Sequence, residues 1–241
     1  MRTGLWEGGW LSRRRRSATA WGGLLDEGQI LLAALSRQHA AAVRVVVFEH
    51  LHAPPGLDGP AGRDDWLVQT LRQSGAQLPA SRRTMALALR EGRCRHGTLA
   101  WQAGTDAQAS LQAEVQLEAA SAFGVAPAEV GFDFQVVPDA AGGGAQIHWA
   151  ACLRSELSRW CGHARSAGWR LPMVEPEQQS ARRAAVCLLG EWQQHWAQSP
   201  QDWQFGSQAQ RSLSPSDWQQ LQASPMWGPL VACGAALGAL P

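Results

Sequence analysis

The sequence predicts an α/β (α+β) fold built from two successive blocks, and three observations carry that prediction. Short β-branched runs such as Val45, Val46, Val47 and Phe48 mark strands. Leu111, Val115, Ala119 and Phe123 recur every four residues, the apolar stripe of an amphipathic helix. Strands and helices then alternate along the chain, first as β-β-β-α-β and next as β-α-β-β-α-β.

In the first block, strands are expected over Trp21–Leu25, Ile30–Leu35 and Val43–His50, with Asp26, Glu27 and Gly28 as a turn. The Pro/Gly-rich stretch from Ala53 to Gly62 reads as a loop. Asp64 and Asp65 then start a helix, where carboxylates suit the helix dipole, and Leu67, Val68 and Leu71 give it an apolar face. Gly75 ends it, and Thr84–Leu89 is a fourth strand. The second block opens with a short strand, Leu99–Trp101. Its main helix spans Asp106–Phe123, capped by Thr105 or Asp106 and closed by Gly124. Phe132, Phe134 and Val136 alternate in a strand whose hairpin partner is Ile147–Cys152. A helix over Leu153–Ala167, a strand over Trp169–Val174 and a long helix over Gln178–Trp196 follow. Residues 197–225 show weak periodicity and read as short irregular elements. Leu230–Leu240 reads as a terminal helix packed through small residues.

Composition narrows the function classes. With 241 residues, 45% hydrophobic and 17% charged, the chain suits a globular protein of one or two domains. A net charge of +1 offers no global field for nucleic acid. Five scattered cysteines, none at a C-x-x-C spacing, suit reduced thiols in a cytoplasmic protein better than a disulfide framework. All basic residues are Arg, and 13 Trp accompany no Tyr. Codon bias accounts for the missing Lys and Tyr; the Trp excess suits interface anchors. Residues 1–19 form a flexible basic tail without a signal-peptide core, in which Arg13, Arg14, Arg15 and Arg16 suit contact with an anionic membrane surface. The apolar run Leu230–Leu240 is shorter than the roughly 20 residues that span a bilayer.

Catalytic and metal motifs are scarce. His50 with His52, and Cys161 with His163, are paired two residues apart but lack a third ligand at a zinc spacing. Gly142, Gly143 and Gly144 lie between strands rather than before a helix, so they suit a hairpin loop and not a phosphate cradle. No P-loop and no G-x-S-x-G elbow occurs. Asp64–Asp65 and Glu175–Glu177 sit at expected helix starts, where capping accounts for them. Trp192 and Trp196 share an expected helix face and read as core.

Several segments, taken in order, resemble the PilM family of pilus assembly proteins. Leu111–Ala119 (LQAEVQLEA) followed by Glu129–Val137 (EVGFDFQVV) is similar to a family helix ending in an ELEA-like run and its next strand. Ile147–Cys152 (IHWAAC), Trp169–Glu175 and Leu230–Leu237 (LVACGAAL) resemble later family segments, and Trp21–Arg37 resembles the opening one. The short length is similar to that of the HofM relatives in this group. The resemblance covers about residues 20–190 and 226–240.

It implies an actin-like, FtsA-related fold. Residues 20–90 would be a first RNase H-like subdomain, 91–178 an inserted subdomain, and 179–241 a reduced second lobe with the C-terminal helix. It also implies ATP binding between lobes, but the metal-side Asp of the first phosphate loop falls at Leu24. Asp26 and Glu27 would set negative charge against phosphate, and the second loop has no counterpart in 185–225. The expectation is therefore a non-enzymatic protein without a cofactor. It would be a cytoplasmic scaffold at the inner membrane in a type IV pilus or competence (DNA-uptake) machine. Its partner would be the N-terminal tail of a PilN-like bitopic membrane protein, held in a groove by Leu99, Trp101, Leu111 and Val115. An actin-like ATPase is the competing enzyme class. A Trp-rich carbohydrate-binding module is a third class, disfavoured because the Trp residues are spread over helices as well as strands.

Overall fold

The structure, a computed structural model, describes residues 19–26, 28–38, 42–57, 59–101, 107–138 and 145–240. Three antiparallel strands open it: β1 (Thr19–Asp26), β2 (Gln29–Gln38) and β3 (Ala42–His52). Nearly continuous apolar runs in β1 and β2 match strands covered on both faces. Leu24, Leu31, Ala33 and Leu35 point to one layer, and Trp21, Leu25, Ile30 and Leu32 to the other. In β3 the alternation breaks. Ala34 pairs with Val47 but Leu35 pairs with Val45, so Val46 is the extra residue of a β-bulge. Val46 is accordingly 47% exposed, and Val45 and Val47 serve opposite layers.

Helix α1 (Gly59–Ser74) follows, then β4 (Thr84–Leu89), parallel to β1. The helix begins five residues before Asp64, because Pro60 is tolerated in a first turn whose N–H groups lack partners anyway. Asp64 and Asp65 therefore do not start the helix. Asp64 instead bonds Arg159 at 2.8 Å on a neighbouring helix.

A second, three-stranded sheet is antiparallel throughout, in the order β5 (Cys94–Trp101), β7 (Ala145–Leu153), β6 (Val130–Pro138). The expected β6–β7 hairpin is present; β5 starts five residues earlier than expected. Helix α2 (Ala107–Phe123) packs its four-residue repeat against this sheet. Leu111, Val115 and Ala119 are buried with Val130, Ile147 and Trp149.

The chain then returns to the first sheet. Helix α3 (Arg154–Ser166) brings Trp160 and Ala164 to the layer that holds Leu67 and Leu71 of α1. Strand β8 (Arg170–Pro176) pairs in parallel with β4, and β9 (Gln204–Gly206) pairs with the start of β3. The larger sheet thus runs β8-β4-β1-β2-β3-β9. Of residues 91–178, the stretch 94–153 builds the second sheet and its helix, while α3 and β8 join the first.

Helices α4 (Glu177–Cys187), α5 (Pro215–Gln222) and α6 (Trp227–Gly238) complete the fold. The expected long helix over Gln178–Trp196 is cut short at Cys187. Leu188 turns extended to bridge Phe205, Gly190 adopts a φ of 80°, and Trp192–Ala197 forms a separate 3-10 turn. Trp192 is buried and Trp196 is 50% exposed, with ring centroids 5.5 Å apart. Helix α6 covers the sheet through small residues, as expected. A Cβ on Gly22 would collide with the α6 backbone at Ala236, and one on Gly234 with the Ser180 carbonyl of α4.

Candidate partner interface

The two sheets meet at a neck crossed twice by the chain. On the way out, Leu89 ends β4, and Arg90 and a 3-10 turn at Glu91–Arg93 lead into Cys94. On the way back, Leu153 ends β7 and α3 begins. Polar groups brace both passages. The buried Glu177 carboxylate accepts from the Glu91 N–H at 2.8 Å and from Trp227 Nε1 at 3.1 Å. Arg90 lies between Glu177 and Asp26, 3.4 Å from each. Arg93 donates to Glu156 at 2.7 Å, and the same carboxylate accepts from Trp160 Nε1. Deeper in the larger sheet, Glu175 is buried against Ser180 and a two-pronged Arg183. Glu175 and Glu177 thus brace tertiary structure; Glu175 lies in β8, and Glu177 is the first residue of α4.

Strand β5 is the outermost strand of its sheet beside this neck, so its outer row of backbone N–H and C=O groups has no strand partner among the described residues. Its inward positions face α2. Gly97 makes room for the Trp149 ring, and Leu99 packs half-buried on the α2 cluster. His96, Thr98 and Ala100 are exposed on the other face, opposite Ala150, His148 and Gln146 of β7. Helix α3 approaches the base of that face, where Leu157 lies over Gly131.

The sequence-predicted groove residues separate in this arrangement. Leu111 and Val115 are 5% and 0% exposed and form the core between α2 and the sheet. Leu99 lies at the border of that core. Trp101 ends β5 with its backbone paired to Ala145; its side chain lies outside the described residues, as do Arg13–Arg16 and the Gly142–Gly144 run. The neck network was missed by sequence reasoning, since its bonded partners lie up to 87 residues apart in the chain.

Other candidates resolve as follows. Leu24 is fully buried in the core, and Asp26 is engaged with Arg90. The His50 and His52 rings are 4.3 Å apart, and His50 Nε2 lies 3.2 Å from Gln29 Oε1. Partial burial and the neighbouring His52 hold His50 below its ordinary 6.5. His163 sits 3.4 Å from Asp64. No group of three or more metal-ligating side chains occurs among the described residues. An open depression of about 390 Å³ lies away from the neck, between Gly190–Gln193 and Gln210–Leu213. No helix among the described residues is long and apolar enough to cross a membrane.

No protein-family profile and no curated protein matches the sequence. Solved structures do. The chain is similar to a chain of the PilM–PilN type IV pilus biogenesis complex, at 16% identity and a TM-score of 0.55, over 69% of this chain. It spans 50% of that chain's length. A lesser similarity is to the cytoplasmic domain of EpsL, an inner-membrane component of the type II secretion system of Vibrio cholerae. There the identity is 13% and the TM-score 0.48, over 68% of this chain and 59% of the other. The fold of this chain is therefore mixed α/β, and over 69% of its length it is shared with a chain of that pilus biogenesis complex.

Proposed function

We propose that this chain is a non-enzymatic scaffold of a type IV pilus or related DNA-uptake machine, working at the cytoplasmic face of the inner membrane. Its partner is the extended N-terminal tail of a PilN-like bitopic protein. The observation that carries this reading is the shared fold with a chain of a PilM–PilN complex. The outer edge of β5 supports it, because an extended peptide can add there as a further strand, with main-chain hydrogen bonds for affinity and flanking side chains for selectivity. Leu99 and the end of the strand at Trp101 border that edge. The buried Leu24 and the engaged Asp26 support a scaffold without ATP.

The test is hydrogen exchange with and without a synthetic peptide of the partner's N-terminal tail. Binding should slow exchange in β5 and leave the outer edge of β6 unchanged. Saturable binding that protects β6 or β9 instead would place the partner elsewhere, and absence of binding would overturn the scaffold reading.

A further inference from the structure

A cysteine stands at each of the two chain crossings between the sheets. Cys94 opens β5 directly after the Glu91–Arg93 turn, and Cys152 lies two residues before α3. The strand register sets them directly opposite one another. Opposed residues of antiparallel strands have Cα atoms about 4.5 or 5.5 Å apart. Both spacings fall within the roughly 4.4–6.8 Å that a disulfide bridges. Both side chains are buried, at 5% and 7% exposure, in the layer that also holds Leu89 and Trp160. The neighbouring Cys94 thiol draws Cys152 below its ordinary value, while Cys152 and burial together push Cys94 up. The remaining described cysteines have no such neighbour in register: Cys233 is fully buried in α6, Cys187 ends α4 and Cys161 lies within α3.

We propose that Cys94 and Cys152 are a redox-active pair, and that its oxidation closes residues 94–152 into a covalent loop at the neck between the two sheets. Hydrogen peroxide is a sufficient oxidant. The Cys152 thiolate attacks one peroxide oxygen, the O–O bond breaks, and the departing hydroxide takes up a proton to become water. Cys152 is then a sulfenic acid. The Cys94 sulfur attacks the sulfenic sulfur, the S–S bond forms and the S–O bond breaks. The second water leaves with the Cys94 proton. Two thiols lose two electrons and two protons, and the peroxide becomes two waters. The clasp fastens the outgoing and returning strands at their base, so local opening of the second sheet has to proceed with its two ends tied together.

The experiment treats the full chain with hydrogen peroxide, blocks residual thiols under denaturing conditions and maps the peptides. The expected result is an intramolecular link between the peptides holding Cys94 and Cys152, reversed by a thiol reductant. Amide exchange in β5 and β7 near the neck should slow at least tenfold in the oxidised form. Cys94→Ala should leave Cys152 as a sulfenic or higher oxide with no link. If that variant does not fold, the wild-type peptide map decides alone. Oxidation confined to Cys161 or Cys187, or a link between chains, overturns the proposal. A link without any change in exchange overturns the clasp.

Discussion

Replacing Gly234 by alanine tests the close approach of α4 and α6. In an unobstructed helix interior the change would stabilise by about 1 kcal/mol, because glycine loses more backbone freedom on folding. Here the new methyl overlaps the Ser180 carbonyl, and the Ser180 Cα lies only 3.1 Å away. That obstacle is backbone and cannot rotate aside, so the helices must separate. Separation also strains the 2.8 Å bond from Arg183 Nη1 to the Gly234 carbonyl. Overpacking of this kind costs about 3 kcal/mol at the upper end of its usual range. The strained hydrogen bond adds about 1 kcal/mol. Less the propensity gain, the net loss is about 3 kcal/mol, or roughly 6–12 °C in Tm for a chain of this size. Gly162 in α3 is the control, since a Cβ there meets nothing within 4 Å. Gly162→Ala should stabilise by about 0.5–1 kcal/mol. Urea unfolding of the three proteins measures both shifts at constant m. A Gly234→Ala variant as stable as Gly162→Ala would refute the close-packing argument.

Three more outcomes follow from the neck, the histidine pair and the first hairpin. Glu177→Gln removes the charge facing Arg90 and weakens the bonds from Glu91 N–H and Trp227 Nε1. A loss of about 2 kcal/mol is expected, and an unchanged urea midpoint would show that the neck does not depend on that carboxylate. His50 binds a proton less readily in the folded chain than its ordinary 6.5. Its contribution to stability is therefore complete above that value and falls away as the pH drops through it. His50→Gln should flatten this part of the urea-midpoint profile; identical profiles would exclude the coupling. Calorimetry with Mg-ATP should give no saturable heat up to about millimolar nucleotide, whereas a roughly micromolar dissociation constant would overturn the reading of Leu24 and Asp26.

Local pattern carried much of the architecture. The four-residue repeat of α2, the alternation of Phe132, Phe134 and Val136, and the small residues of α6 each state their own packing partner: a sheet, a hairpin mate, a closely approaching backbone. What escaped depends on distant pairing. Residues 94–98 (CRHGT) show no alternation, and they become strand because β7 lies alongside. Leu188 leaves the helical pattern because Phe205 offers a bridge. The same limit applied to the candidate interface. Apolar periodicity selected Leu111 and Val115, but such periodicity marks the side of a helix that its own fold covers. An open strand edge is a property of order within a sheet, and no residue type announces it.

The bulge at Val46 acts on β3 as a frameshift acts on a coding sequence. Before it, Val43 and Val45 are read by the α4–α6 layer; after it, Val47 and Leu51 are read by the α1–α3 layer. Deleting Val46 would restore simple alternation and leave every downstream side chain on its present side, because Val45 and Val47 would become neighbours facing opposite layers. Leu51 would stay toward the α1–α3 layer and Phe48 toward the other, each keeping its partner on β2. Substitutions at Val46 itself should be tolerated widely, because its side chain is half in solvent, and its deletion should cost only the local bend and twist of the bulge.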